Sequence, residues 1–220
     1  MYCSYCGAEL KKNHILEFQE AVVMENGDKI ISPCCSVCKH TICLQDVSAG
    51  INGGQKVILL SGPCGAGKSS IGRYISQKYG YIHIDGDSVS KRVNWEIRNQ
   101  RIKSRSGYLV HREVIETMKV VLGLGYSVIV TYIIEWEVLE DYLLPLKKSG
   151  LQPVFRILLP ERKVCIDRDI SRKGWTAGPE FIDKWYEQQA WLGAKMPGSI
   201  IDSSNESLEE TVDRHFPILI

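Results

Sequence analysis

From residue 57 onward, short apolar stretches alternate with amphipathic stretches of helical period. Val57-Ile58-Leu59-Leu60 has the length and composition of a buried strand, and it breaks at once into a glycine-rich turn. Beyond the turn, Ser70 to Tyr79 places Ile71, Tyr74 and Ile75 at i, i+3 and i+4, which is one helix face. Tyr81-Ile82-His83-Ile84 predicts a second strand. Tyr108 to Leu122 sets Val110, Val114, Met118 and Val121 along one side of a long helix, which Gly123-Leu124-Gly125 ends. Ser127 to Ile134 is nearly all apolar and β-branched, as suits a central parallel strand covered on both faces. Glu137 to Lys148 predicts a helix, Pro153 to Leu159 a strand, Glu161 to Arg172 a helix and Glu180 to Trp191 another. Ile200-Ile201 is a short last strand, and Leu208 to His215 a closing helix. Such alternation implies an α/β fold: a parallel sheet with right-handed crossovers and helices on both faces.

The first fifty residues follow a different pattern. Phe18 to Met24 and Lys29 to Ser32 read as two strands joined at Glu25-Asn26-Gly27-Asp28, and Asn-Gly is a strong hairpin signal. Six of the eight cysteines lie before residue 44. Two C-x-x-C pairs, Cys3/Cys6 and Cys35/Cys38, each put two thiolates on one tight turn, and two facing turns complete a tetrahedral Zn²⁺ site. Cys34 can replace Cys35 by a one-residue register change, and His40 or Cys43 can stand in at the second turn. Cys43 also reads as a small buried apolar residue. Paired knuckles around a hairpin resemble a zinc ribbon over roughly residues 1–45. Ser48-Ala49-Gly50-Ile51-Asn52-Gly53-Gly54 then reads as a flexible linker. The expected division is a zinc ribbon over 1–50 and a larger domain over 51–220.

Composition narrows the function classes. The hydrophobic fraction of 44% and charged fraction of 24% are those of a globular protein, and no apolar run approaches the roughly 20 residues of a membrane span. Met1-Tyr2-Cys3-Ser4 lacks a signal peptide's basic start and apolar centre, so the expected compartment is the cytoplasm, with thiols reduced or metal-bound. The net charge is only +1, and residues 1–54 carry four lysines against six carboxylates, a net of −2. A ribbon that grips phosphate backbones carries the opposite sign, so a structural or protein-docking role fits it better.

The glycine-rich turn carries the chemistry. Gly62-Pro63-Cys64-Gly65-Ala66-Gly67-Lys68-Ser69-Ser70 contains the complete pattern G-x-x-x-x-G-K-S, placed between a strand and a helix. The glycines let successive N–H groups turn inward around phosphate oxygens, and the helix that follows aims its positive end at them. Lys68 would reach the β- and γ-phosphates, and the Ser69 hydroxyl would hold Mg²⁺.

Asp85-Gly86-Asp87 follows the second strand, on the edge where open α/β sheets collect ligands. Asp85 is a candidate to hold Mg²⁺ through water, and Asp87 to accept a proton from an attacking hydroxyl. Alternatively the tripeptide is an Asp-Gly turn with solvated carboxylates. Ser90 to Arg105 carries Lys91, Arg92, Arg98, Arg101, Lys103 and Arg105 against Glu96 alone, with Trp95 among them. It reads either as a solvated helix face or as a cover for an anionic acceptor or a nucleic-acid strand. Arg168 and Arg172, four apart, would share a helix face and converge on a transferring phosphoryl group. With the break at Gly174 to Pro179 and the helix beyond, residues 161–195 have the character of a lid.

With these motifs in place, residues 55–215 resemble the P-loop small-molecule kinases, the group that includes gluconate, shikimate, adenylylsulfate and nucleoside-monophosphate kinases. The resemblance rests on Gly62 to Ser69, Asp85-Gly86-Asp87, Arg168 with Arg172, and Ile201-Asp202-Ser203-Ser204-Asn205 before the last helix. It implies a three-layer P-loop NTPase sandwich with a five-stranded parallel sheet in the order 2-3-1-4-5. It also implies ATP and Mg²⁺ as cofactors, and an adenine pocket lined by Asp202 and Ser203. Where the family's third strand often ends in a carboxylate, Thr131 and Tyr132 follow Val130 here. Metal binding then falls to Ser69 and Asp85, with Glu135 as a further candidate. The implied activity is phosphoryl transfer from ATP to a small-molecule or nucleotide acceptor. An RNA or DNA end kinase and a non-catalytic ATP-binding module docking a partner through the ribbon are the alternatives. The apolar tail Phe216-Pro217-Ile218-Leu219-Ile220 would pack on its own core or on a second copy.

Overall fold

A computed structural model describes residues 54–98, 107–173 and 175–219, together with the strands Val22–Val23 (β1) and Lys29–Ile30 (β2). These two strands pair antiparallel, Val22 opposite Ile30 and Val23 opposite Lys29. The thiols expected to hold zinc, Cys3, Cys6, Cys35 and Cys38, lie outside the described residues, as do their alternatives Cys34, His40 and Cys43. The same holds for most of the 48–54 linker and for the basic stretch 99–106.

The elements that follow are β3 (Val57–Ser61), α1 (Lys68–Tyr79), β4 (Ile82–Asp85), α2 (Gly86–Arg98), α3 (Tyr108–Gly123), β5 (Val128–Thr131) and α4 (Trp136–Lys148). After them come β6 (Val154–Leu158), α5 (Arg162–Ile170), α6 (Pro179–Lys195), β7 (Ile200–Ile201), α7 (Leu208–His215) and a 3-10 turn, Pro217–Leu219. The sheet runs β4-β5-β3-β6-β7, which is the expected order 2-3-1-4-5 with the phosphate-loop strand in the centre. Central strands buried on both faces read as nearly continuous apolar runs, and every residue of β3 and β5 is buried, the terminal Ser61 and Thr131 included. Register is fixed by pairs such as Leu60 with Thr131 and Leu59 with Phe155.

Two compact units share the chain: Met1–Gln55 with Asp85–Tyr126, and Lys56–Ile84 with Ser127–Ile220. In the first, α2 and α3 pack together, and the stripe expected on α3 (Val110, Val114, Met118, Val121) is buried. In the second, α1 lies against β5 and α7 against α1, while α5 packs with α6. Ile58, Leu60, Ile71, Ile75, Ile129, Leu158 and Val212 form its core. Phe216 belongs to that core, and Ile218 and Leu219 pack against it. Lys56 Nζ donates to the Ile218 carbonyl. The tail thus packs on its own domain.

Two elements are shorter than their sequence patterns. The apolar run 127–134 forms a strand only as far as Thr131. Tyr132 N–H still donates to Leu60 O, but Ser61 is the last residue of β3, and Ile134 N–H turns to its Oγ at 2.8 Å. Ile134 is fully buried without belonging to the ladder. Likewise the helix expected over Glu161 to Arg172 stops at Ile170. Among the described residues no helix is long and apolar enough to cross a membrane.

Candidate active site

The phosphate loop is shaped by three glycines with left-handed backbone angles: Gly62 (φ 140°), Gly65 (φ 76°) and Gly67 (φ 104°). Two of them also lie against main chain. A Cβ on Gly62 would stand 2.3 Å from Leu158 O, and one on Gly65 2.0 Å from Cys165 O. The loop is therefore clamped between the end of β6 and helix α5, and no side chain fits at these points. Ala66 N–H donates to Pro63 O at 3.4 Å, and the Ser70 and Ile71 amides both reach Gly67 O at 3.1 Å. The amides of Gly65, Gly67 and Ser69 have no protein acceptor among the described residues. Gly67 caps α1 without a side-chain oxygen, so the positive end of that helix opens into the loop.

Lys68, the first residue of α1, folds back over this cradle. Its ammonium donates to Gly62 O and Pro63 O, both at 2.8 Å. From the opposite side Arg168 donates to Ala66 O at 3.2 Å and to Ser203 O at 3.4 Å. One guanidinium thus joins the loop to the 202–204 segment. The buried Cys165 thiol lies within the field of both cations. Burial pushes it up to about 11, while Lys68 and Arg168 pull the other way, so it stays neutral. A glycine loop with amides that have no protein acceptor among the described residues, a helix amino end, an ammonium and a guanidinium together fit a polyphosphate. Ser69, at the same helix end, fits Mg²⁺.

Arg172 stands elsewhere. Because α5 ends at Ile170, it is past the helix and does not share a face with Arg168; its guanidinium lies 3.6 Å from Asp169 Oδ1. Asp169 is fully buried and accepts the amides of Ala177 (2.8 Å) and Gly178 (3.2 Å), pinning the connection to α6. Arg162 reinforces the same hairpin through Glu187 and Asp183 on α6 and lies 4.9 Å from the Tyr186 ring centre. Asp202 Oδ1 accepts the Ser204 amide at 3.0 Å, which shapes the turn after β7, and Ser203 is buried there. In the other unit, Asp85 ends β4 and its Oδ1 accepts the Asp87 amide at 3.0 Å, so the pair opens helix α2 rather than a free turn. No group of three or more His, Cys, Asp or Glu side chains suited to a metal ion occurs among the described residues.

A further tie has no signal in the sequence. Gln189, buried on α6, accepts from Ser61 Oγ at 2.6 Å and donates to Ile134 O at 3.0 Å. It fastens α6 to the residue before the phosphate loop and to the crossover after β5, across 128 positions of sequence. Gln189→Ala is expected to cost about 1–3 kcal/mol, because it strips partners from buried polar groups. Urea denaturation monitored by circular dichroism measures this, and a loss below a few tenths of a kcal/mol would contradict it.

No protein-family model matches the chain. Over 47 residues it is 43% identical to a cytidylate kinase of Caldicellulosiruptor saccharolyticus, a match spanning 21% of this chain and 21% of that enzyme. The chain thus spans about a fifth of the length of that curated relative. Among solved structures, a sugar kinase from Janibacter superposes with a TM-score of 0.52 at 20% identity, over 73% of this chain and 91% of that one. A shikimate kinase from Bacteroides thetaiotaomicron gives 0.51 at 16% identity, over 74% and 98%. The chain therefore has the five-stranded parallel α/β fold of these P-loop kinases.

Proposed function

We propose that the protein is an ATP-dependent phosphotransferase that moves the γ-phosphate of ATP to a hydroxyl or phosphate of a small metabolite or nucleotide-like acceptor. The observation that carries this reading is the convergence of Lys68 and Arg168 on a loop whose amides at Gly65, Gly67 and Ser69 await acceptors. ATP supplies the phosphoryl group, and Mg²⁺ offsets the charge of its oxygens. The loop amides hold the β-phosphate, and Lys68 leaves the Gly62 and Pro63 carbonyls for the β- and γ-oxygens. Ser69 and Asp85 hold the metal, and Asp202 and Ser203 line the adenine side. Asp87 takes the proton of the acceptor hydroxyl. Arg168 neutralises charge on the transferring group, and Arg172 joins it when the 161–195 segment closes and excludes water. Cys3, Cys6, Cys35 and Cys38 hold one Zn²⁺, which metal analysis of the purified protein counts and Cys3→Ser removes.

Phosphate transfer from labelled ATP to pooled metabolites, nucleotides and RNA or DNA ends tests the reading. A labelled acceptor absent from the Lys68→Ala reaction supports it, and bound ATP with no acceptor labelled ends it. Asp87→Asn is expected to slow transfer by about 10²–10⁴-fold with nucleotide affinity nearly unchanged. Loss of nucleotide binding in that variant would remove Asp87 from the role of base.

A further inference from the structure

Among the described residues two cysteines lie at the phosphate loop, and phosphoryl transfer uses neither thiol. Cys64 is part of the loop and half-buried, whereas Cys165 on α5 is fully buried; both are thiols in this structure. Cys64 packs against the apolar cluster to which Cys165 belongs. The backbone brings the two together. A Cβ on Gly65 would stand 3.1 Å from Cys165 Cα. The Cα atoms of Gly65 and Cys165 are therefore within about 5 Å, and Cys64 is one peptide step of about 3.8 Å further on. That puts the two cysteine Cα atoms at most about 8 Å apart, against the roughly 4.4–6.8 Å that a disulfide spans. The Cys165 thiol also lies within the field of Cys64.

Resting on the nucleotide role of the loop proposed above, we infer that Cys64 and Cys165 are a modification site, at which a small disulfide such as oxidised glutathione joins them reversibly and closes the loop to nucleotide. The order of attack follows from access. Cys64 Sγ attacks one sulfur of oxidised glutathione, one glutathione leaves as a thiol with the Cys64 proton, and a mixed disulfide remains on the loop. Cys165 is out of reach of the reagent, and burial pushes its thiol up to about 11, so it does not react first. Lys68 and Arg168 pull the other way and favour its thiolate. Cys165 Sγ then attacks Cys64 Sγ, and the second glutathione leaves with the Cys165 proton. Two protein thiols become one disulfide while one glutathione disulfide becomes two thiols.

The bond distorts the loop. Gly65 already lies against the Cys165 carbonyl, where a Cβ would stand 2.0 Å from the oxygen, so the loop cannot move toward α5 as a body. Cys64 must turn toward Cys165 by itself, and the neighbouring Gly65 and Gly67 amides leave the arrangement that holds phosphate. By linkage, bound nucleotide opposes the bond by the factor by which the bond opposes nucleotide.

The full chain is equilibrated with mixtures of reduced and oxidised glutathione, quenched with an alkylating agent and digested. Trypsin places Cys64 in Val57–Lys68 and Cys165 in Val164–Arg168, apart from each other and from the six cysteines before residue 44, so mass spectrometry identifies the link. The two peptides are expected to appear joined. ATP affinity, measured by calorimetry, is expected to fall at least about tenfold on oxidation and to return with dithiothreitol, and saturating ATP to raise the oxidised share needed for half-conversion by a similar factor. In Cys165→Ala glutathione is expected to stay on Val57–Lys68, and in Cys64→Ser the Val164–Arg168 peptide to stay a thiol. Both peptides unlinked, links only to the six other cysteines, glutathione retained on Cys64 of the unaltered protein, or a Cys64–Cys165 link with ATP affinity unchanged overturns the inference. Formation of the link is independent of the phosphotransferase reading. Reduced protein that forms the link but binds no ATP sinks that reading and the effect on nucleotide with it, whereas labelled transfer by protein that never forms the link sinks this inference alone.

Discussion

Lys68→Ala is expected to reduce phosphoryl transfer by about 10³-fold or more while leaving the folded protein nearly as stable as before. The ammonium is the first side chain after the loop, and it spans the cradle to the Gly62 and Pro63 carbonyls at 2.8 Å. Both bonds are only partly buried, so in the variant water can take the place of the ammonium, and little folding free energy is lost. On the proposed reading the same ammonium follows the charge that develops on the β- and γ-oxygens, and nothing else on α1 can replace it. Arg168 is anchored on Ala66 O and Ser203 O from the opposite side. Stopped assays with labelled ATP measure the loss, and thermal unfolding in parallel shows whether the fold survived. Transfer within about tenfold of the unaltered protein would remove Lys68 from the mechanism, and the proposal with it.

Much of the architecture was legible because the signals that specify it are local. The β3 and β5 runs are apolar at every position except their last residues, Ser61 and Thr131, as suits strands covered on both faces, and the α3 stripe keeps its helical period. The phosphate loop was legible for the same reason: its glycines, lysine and serine are contiguous. What misled were ends set by distant partners. Ile133 and Ile134 extend an apolar run, yet β5 stops where β3 stops, and the buried Ile134 gives its amide to Ser61 Oγ instead of to a strand partner. Helix α5 keeps helical composition through Arg172. It nevertheless ends at Ile170, with the Ser171 amide still on Asp167 O, and the chain beyond is tied back where the Asp169 carboxylate accepts the Ala177 and Gly178 amides. Arg172 pairs there with Asp169, whereas Arg168 reaches Ala66 O and Ser203 O.

The candidate site divides along the same line. Asp85 and Asp87 are two apart in sequence, and the bond between them that opens α2 could have been anticipated from an Asp immediately ahead of a helix start. Gln189 could not, since nothing around it in α6 marks a polar side chain destined to bond to Ser61.

Gly65→Ala is the second large effect, and Gly150→Ala supplies its measure. Both glycines hold nearly the same left-handed backbone, φ 76° and φ 73°, so both substitutions carry the conformational cost of about 1–2 kcal/mol for an L-residue there. They differ in what the new methyl meets. At Gly150 nothing lies within 4 Å, whereas at Gly65 the Cβ would stand 2.0 Å from Cys165 O and 2.8 Å from its carbonyl carbon. These are main-chain atoms of α5, held in the core by Cys165 itself, and they cannot give way as a flexible side chain would. The loop must therefore move off α5, which carries the Gly65 and Gly67 amides and Lys68 away from one another and detaches Ala66 O from Arg168. Gly150→Ala is expected to lose about 1–2 kcal/mol of stability with nucleotide affinity unchanged. Gly65→Ala is expected to lose more stability than that, and about 100-fold or more in nucleotide affinity, since the binding amides no longer converge. Chemical denaturation and equilibrium titration with ATP and Mg²⁺ on the two variants separate the strain they share from the collision that only one suffers. Equal losses in both, or normal ATP binding by Gly65→Ala, would mean that the loop is not clamped against α5 in the working protein.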